Sequence, residues 1–161
     1  INDEKATQII EHITYNRLDA AYDQDVFTRA TLRGKLDVNA MEANRSLYSH
    51  VIYDSDNERR FAQELDVSDQ VAVYVKLPGS FYISTPVGKY NPDWAIAFNE
   101  GSVKHIYFVA ETKGNLDTME LRGVENAKIE CAKKHFAAIS NGSVVYSVVD
   151  NYSTLMQLVS N

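Results

Sequence analysis

The chain has 161 residues, 45% of them hydrophobic and 24% charged, the size and balance of one globular domain with a single core rather than two. Its net charge of -6 argues against gripping nucleic acid by overall electrostatics, because phosphate neutralisation is the main non-specific term; any such contact has to be local or borrowed from neighbouring domains. A single cysteine, Cys131, excludes an internal disulfide, and four scattered histidines (His12, His50, His105, His135) show no zinc-ligand spacing, so a reducing, cytoplasmic setting is expected.

A chain that opens on Ile1 with a polar first stretch and no membrane-length apolar run is expected to be a soluble piece of a longer protein. Ala6, Ile9, Ile10 and Ile13 have the spacing of a one-sided helix over Asp3 to Ile13. Thr14 to Asn44 is mixed and weakly periodic, so residues 1–50 read as a helical and loop segment leading from a preceding domain, with the core domain over 51–161. A helix is expected to begin near Ser55, because Phe61, Ala62 and Leu65 follow at helical spacing with Glu58 on the same stripe. From Gln70 the period changes to two, with strand-like runs at Val71 to Leu77, Phe81 to Thr85, Pro92 to Phe98 and His105 to Thr112. Pro78-Gly79, Gly88 and Asn99-Glu100-Gly101 punctuate them as turns.

A second helix is predicted from about Gly123 to Ile139, its apolar stripe carried by Val124, Ala127, Ile129, Cys131, Ala132, Phe136 and Ile139, and stopped by Asn141-Gly142. Arg122, Lys128, Lys133 and Lys134 concentrate positive charge here, and Glu125, Lys128 and His135 share a stripe beside the apolar one. A last strand over Val144 to Val149 and a short closing helix complete a mixed α/β sandwich, with a central sheet flanked by helices on both sides.

Two segments carry chemistry: Tyr90-Asn91-Pro92-Asp93-Trp94-Ala95-Ile96, and Val109-Ala110-Glu111-Thr112-Lys113-Gly114. Side chains two apart on a strand point the same way, so Glu111 and Lys113 are expected to project together from the strand's end. The short polar turn between the two runs makes them antiparallel neighbours, which brings Asp93 beside Glu111. Two such carboxylates repel unless a cation lies between them, and hard oxygen donors select Mg2+ or a similar ion. A metal that polarises a phosphoryl group, together with a cation that offsets developing charge, is what phosphodiester hydrolysis requires.

The stretch Phe81-Tyr82-Ile83-Ser84-Thr85-Pro86-Val87-Gly88-Lys89-Tyr90-Asn91-Pro92-Asp93-Trp94-Ala95 resembles the signature of the endonuclease domain of type III restriction enzyme Res subunits. Glu111-Thr112-Lys113-Gly114 and Lys128 to Phe136 resemble the next two blocks, so the likeness spans roughly Tyr53 to Phe136. The resemblance implies a PD-(D/E)xK restriction-endonuclease-like fold over 51–161. It makes Asp93 and Glu111 ligands of Mg2+, the Thr112 main-chain carbonyl a third, and Lys113 the catalytic lysine. Glu58 matches the helical acid that many such nucleases place before the sheet. The implied partners are double-stranded DNA, an ATP-driven helicase-like motor on the same polypeptide and methyltransferase (Mod) subunits. No Gly-x-x-x-x-Gly-Lys-Ser/Thr loop occurs here, so ATP would be used outside these residues.

Plainer readings stand beside these. Ser55-x-x-Glu58 is also a capping box, which needs no metal. Lys89, Tyr90 and Lys128 are candidates for DNA backbone contact, or simply an exposed turn and a solvated helix face. A repair exonuclease or junction resolvase on the same superfold is an alternative, as is a non-catalytic docking module.

Overall fold

The computed structural model describes residues 38–99, 106–111, 119–139 and 144–160. A hairpin comes first, β1 (Ala40–Glu42) and β2 (His50–Ile52), followed by helix α1 (Asp56–Val67) and strand β3 (Val71–Lys76). A second hairpin, β4 (Ile83–Thr85) and β5 (Gly88–Tyr90), precedes β6 (Trp94–Phe98) and β7 (Ile106–Glu111). Helix α2 (Met119–Ile139), β8 (Val144–Val149) and α3 (Tyr152–Val159) close the chain's described part. The expected helix over Asp3 to Ile13 lies outside the described residues.

Helix α1 starts where the capping signal placed it. Ser55 is extended, and its hydroxyl accepts the Glu58 N–H at 3.2 Å, while Asp56 and Glu58 put negative charge against the positive end of the helix dipole. Phe61, Ala62 and Leu65 are buried together, as their spacing requires.

Four strands form the main sheet in the order β3-β6-β7-β8. The β3–β6 and β6–β7 pairs are antiparallel, whereas β7–β8 is parallel. A parallel pair needs a crossover connection, and α2 supplies it. Along β6 the large residues Trp94, Ile96 and Phe98 are buried, alternating with half-buried Ala95 and Ala97. Trp94, Ile96 and Phe98 join Phe61, Ala62 and Leu65 of α1, Val71 and Tyr74 of β3, Val149 of β8, and Leu155 and Val159 of α3 in one core. A smaller cluster on the other face joins Ala132 and Phe136 of α2 to Ile83 and Tyr90 of the second hairpin, with Tyr146 and Val148 packed against it. Alternation along β8, Val149 in one cluster and Tyr146 and Val148 at the other, shows that helices cover both sides of the sheet.

Three expectations need correction. The run from Phe81 to Thr85 is not a strand of the main sheet; only Ile83–Thr85 is extended, and it pairs with Gly88–Tyr90 in a hairpin of its own. Pro86 and Val87 form the turn, and Gly88 follows with φ +119°, a backbone that other residues rarely adopt, opposite Thr85 in the hairpin. Helix α2 begins at Met119 instead of Gly123, because Met-Glu-Leu-Arg is a run of good helix formers and one glycine inside a long helix is tolerated. Val124, placed on the apolar stripe, is 39% exposed; Cys131, Ala132 and Phe136 carry the buried face.

The first hairpin spans the boundary placed at residue 50, and the packed unit reaches back to Ala40. Asp66 of α1 anchors it by accepting the Asn44 N–H at 2.9 Å and the Arg45 N–H at 2.8 Å. Arg45 then donates to the Val71 carbonyl at 2.9 Å, and Leu47 donates to the Tyr74 carbonyl at 2.8 Å. Among the described residues no helix is long and apolar enough to cross a membrane.

Candidate active site

Register decides which residues meet at the end of the sheet. Trp94 pairs with Val109 across β6 and β7, so Asp93, one residue before Trp94, and Glu111, two residues after Val109, have their backbones at the same end of adjacent antiparallel strands. The Asp93 carbonyl accepts the Leu77 N–H at 2.8 Å, which ties this peptide to the end of β3 as well. Pro92 beside it is fully buried, and Asp93 itself is half-buried. Glu111 is placed through its backbone, paired with Val149 in β8, while Thr112 and Lys113 lie outside the described residues. Among the described residues, no group of three or more metal-binding side chains occurs.

The approach to Asp93 is built by the second hairpin and α2. Tyr90 is only 3% exposed, and its hydroxyl meets that of Tyr146 at 2.5 Å. Burial pushes the Tyr90 phenol far up, with Tyr146, Asp93 and Glu125 adding to the effect. Tyr146 is pushed up to about 12, again chiefly by burial, with Glu125, Asp93 and Glu130 contributing against the opposing effect of the hydrogen bond shared with Tyr90. Both rings therefore stay protonated at any physiological pH, beside the Asp93 and Glu125 carboxylates. This corrects the reading of Tyr90 as an exposed turn residue: the aromatic ring joins the hairpin to α2, and its hydroxyl is paired with that of Tyr146. Tyr90→Phe keeps that packing but deletes the hydroxyl pair, so it is expected to lower unfolding free energy by about 1 kcal/mol. A urea midpoint unchanged from wild type would show that the pair adds nothing.

Lys89 of β5 and Lys128 of α2 both lie near the turn of this hairpin. Lys89 is exposed and places its ammonium 4.0 Å from the centroid of the Tyr82 ring. Lys128 reaches from α2 over the turn, its Cε 4.0 Å from where a Cβ on Gly88 would sit. The two lysines thus converge on one turn. Farther along α2, Lys133 is paired with Glu130 at 2.7 Å, and His135 is half-buried, its imidazole pushed below the usual range by desolvation. Cys131 is a buried core residue, as expected.

Glu58 occupies a different part of the structure's chemistry. It is 1% exposed, and its Oε2 accepts the Asp54 N–H at 2.7 Å and the Lys76 ammonium at 2.6 Å. The capping reading therefore holds in modified form, since the carboxylate reaches past Ser55 to the residue before it. Lys76 also bonds Asp54 at 3.0 Å. Burial alone would pull the Lys76 ammonium down, but the hydrogen bonds to Glu58 and Asp54 together raise it above its usual value. Lys76 pairs with Trp94 across β3 and β6, one position from the peptide that holds Asp93. Sequence reasoning missed this lysine. Its only signal was a cation closing a β run, and the partner 18 residues earlier lies beyond any periodicity.

A family model described as an endonuclease domain matches residues 44–152, more than half of the chain. The chain belongs to this endonuclease-domain family. The endonuclease-domain match takes in α1, the whole main sheet, both lysines at the hairpin turn and the Asp93 and Glu111 positions. It starts at Asn44, where Asp66 anchors the first hairpin, and ends at Tyr152, the first residue of α3. No curated protein and no solved structure matches the chain.

Proposed function

We propose that this endonuclease domain is a Mg2+-dependent nuclease of the PD-(D/E)xK type, and that it cuts double-stranded DNA as the endonuclease part of a type III restriction enzyme. The observation that carries the reading is the β6–β7 register, which supports Asp93 and Glu111 as a pair by bringing their backbones to one end of the sheet. The donors that the resemblance implies, two carboxylates and the Thr112 carbonyl, are all oxygen, a set that fits a hard divalent cation. When bound, Mg2+ would supply a polarised phosphoryl oxygen and a water of lowered pKa.

The chain's own residues have separate tasks in this reading. Asp93 and Glu111 hold the cation. Lys113 orients the attacking water and offsets charge that develops on the phosphate. The hydrogen bond from Leu77 to the Asp93 carbonyl fixes one ligand's backbone, so that less orientation has to be found during reaction. Lys89 and Lys128 offer local positive charge at the hairpin turn, which a chain of net charge -6 needs if it is to meet a phosphate backbone.

The type III assignment rests on the long block from Phe81 to Ala95, which is more specific than a generic nuclease motif. Under it, an ATP-driven motor and methyltransferase subunits select the site and move the DNA in the cytoplasm, and this domain cuts without reading sequence. Covalently closed circular DNA tests it in the full-length enzyme with its methyltransferase partner and ATP. Internal breaks are expected with Mg2+ or Mn2+ and none after chelation. Cutting that survives chelation overturns the metal reading, and loss of linear DNA from its ends alone would favour a repair exonuclease.

A further inference from the structure

We infer that Lys76 is a built-in cation for Glu58, which keeps this helical carboxylate out of the ligand set of the metal that Asp93 and Glu111 would hold. The inference rests on the proposed metal centre and narrows it. Glu58 Oε2 is closed off by two donors, the ammonium at 2.6 Å and the Asp54 N–H at 2.7 Å. The Glu58 side chain is 2% exposed and that of Lys76 19%, so water does little to screen the pair. The same ammonium reaches the Asp54 carboxylate at 3.0 Å, so one lysine bridges two acids as a divalent ion otherwise would.

Position makes the arrangement relevant to metal binding. Lys76 lies opposite Trp94, and Leu77 beside it donates to the Asp93 carbonyl. The ion pair is therefore set at the same end of the sheet as Asp93. For a metal to recruit Glu58, the lysine would have to leave a buried carboxylate and the helix start would lose the bond to Asp54. Breaking a buried pair is far costlier than leaving it closed.

Mn2+ binding to the full-length protein, followed by calorimetry and by Mn2+ electron paramagnetic resonance, tests this with Glu58→Gln and Asp93→Asn. A glutamine side chain in place of Glu58 can still accept from Asp54 and Lys76, and the ammonium keeps the Asp54 carboxylate as a charged partner. Glu58→Gln is expected to keep wild-type stoichiometry and affinity within about threefold, and Asp93→Asn to lose at least about tenfold, as expected when a ligand is removed. A tenfold loss in Glu58→Gln overturns the inference and leaves the metal centre standing. Unchanged binding in Asp93→Asn overturns the Asp93 assignment, and a wild-type protein that takes up no Mn2+ overturns both. Should Glu58→Gln not fold, amine acylation of the wild type decides. Lys76 is expected to stay equally protected with and without Mn2+, and increased labelling on adding Mn2+ means that the ion displaces it.

Discussion

Asp93→Ala in the full-length enzyme is expected to reduce DNA cleavage by more than about a hundredfold, because even the partners of metal ligands cost 10- to 100-fold when removed. Under the proposed type III reading, ATP hydrolysis by a motor outside these residues should survive, since Asp93 lies at the end of the sheet and its side chain is not part of the main core. The fold should survive too: the hydrogen bond from Leu77 goes to the main-chain carbonyl, which alanine retains. Cleavage and ATPase assays on one preparation check the prediction. Cutting at the wild-type rate would remove Asp93 from the chemistry, whereas loss of both activities would point to a folding defect.

Lys76→Met should have the largest effect on stability, about 3–5 kcal/mol, because it strands the buried Glu58 carboxylate without its partner. Replacing both members, Lys76→Met with Glu58→Leu, should recover most of that loss, since a well-packed apolar pair of similar volume often equals a buried ion pair. The missing part should be close to the value of one hydrogen bond, the one from Asp54 to Glu58, about 1 kcal/mol. Denaturant titrations of the three proteins measure this. Equal stability of Lys76→Met and wild type would show that the pair contributes nothing. The pH dependence has a definite sign. The Lys76 ammonium is raised above its ordinary value of 10.5 in the folded state, so its contribution is fully present below that value and is lost as pH rises through the folded pKa. Wild type should lose stability in this alkaline window more steeply than the double variant.

Most of the sheet and its helices could be read from periodicity because each residue's neighbours were close in sequence. The β6 alternation, the α1 cap at Ser55 and the antiparallel β6–β7 pair all follow from local pattern and a short turn. Elements that depend on distant partners were not legible in the same way. Tyr90 looked like an exposed turn residue because its partner, Tyr146, lies 56 residues later. Lys76 drew no reading of its own, because Glu58 was assigned to capping or to metal and neither assignment calls for a cation. The hairpin of β4 and β5 was missed because Gly88 reads as a turn residue, whereas it opens the short strand β5 that pairs back onto β4. Of the candidate site, Asp93 and Glu111 were proposed from spacing plus resemblance; their backbones' shared strand end is a matter of register, which only a turn length had implied.

Asp66 has a consequence for the domain's behaviour in a crowded solution. By holding Asn44 and Arg45 it presses residues 45–47 along the outer side of β3, where Tyr74 donates to the Arg45 carbonyl at 3.0 Å and accepts from Leu47. Strand β3 stands at the end of the sheet order, and an uncovered strand there would offer its peptide groups to any other chain. The anchored segment occupies those groups around Tyr74, so the domain carries its own guard against edge-to-edge aggregation.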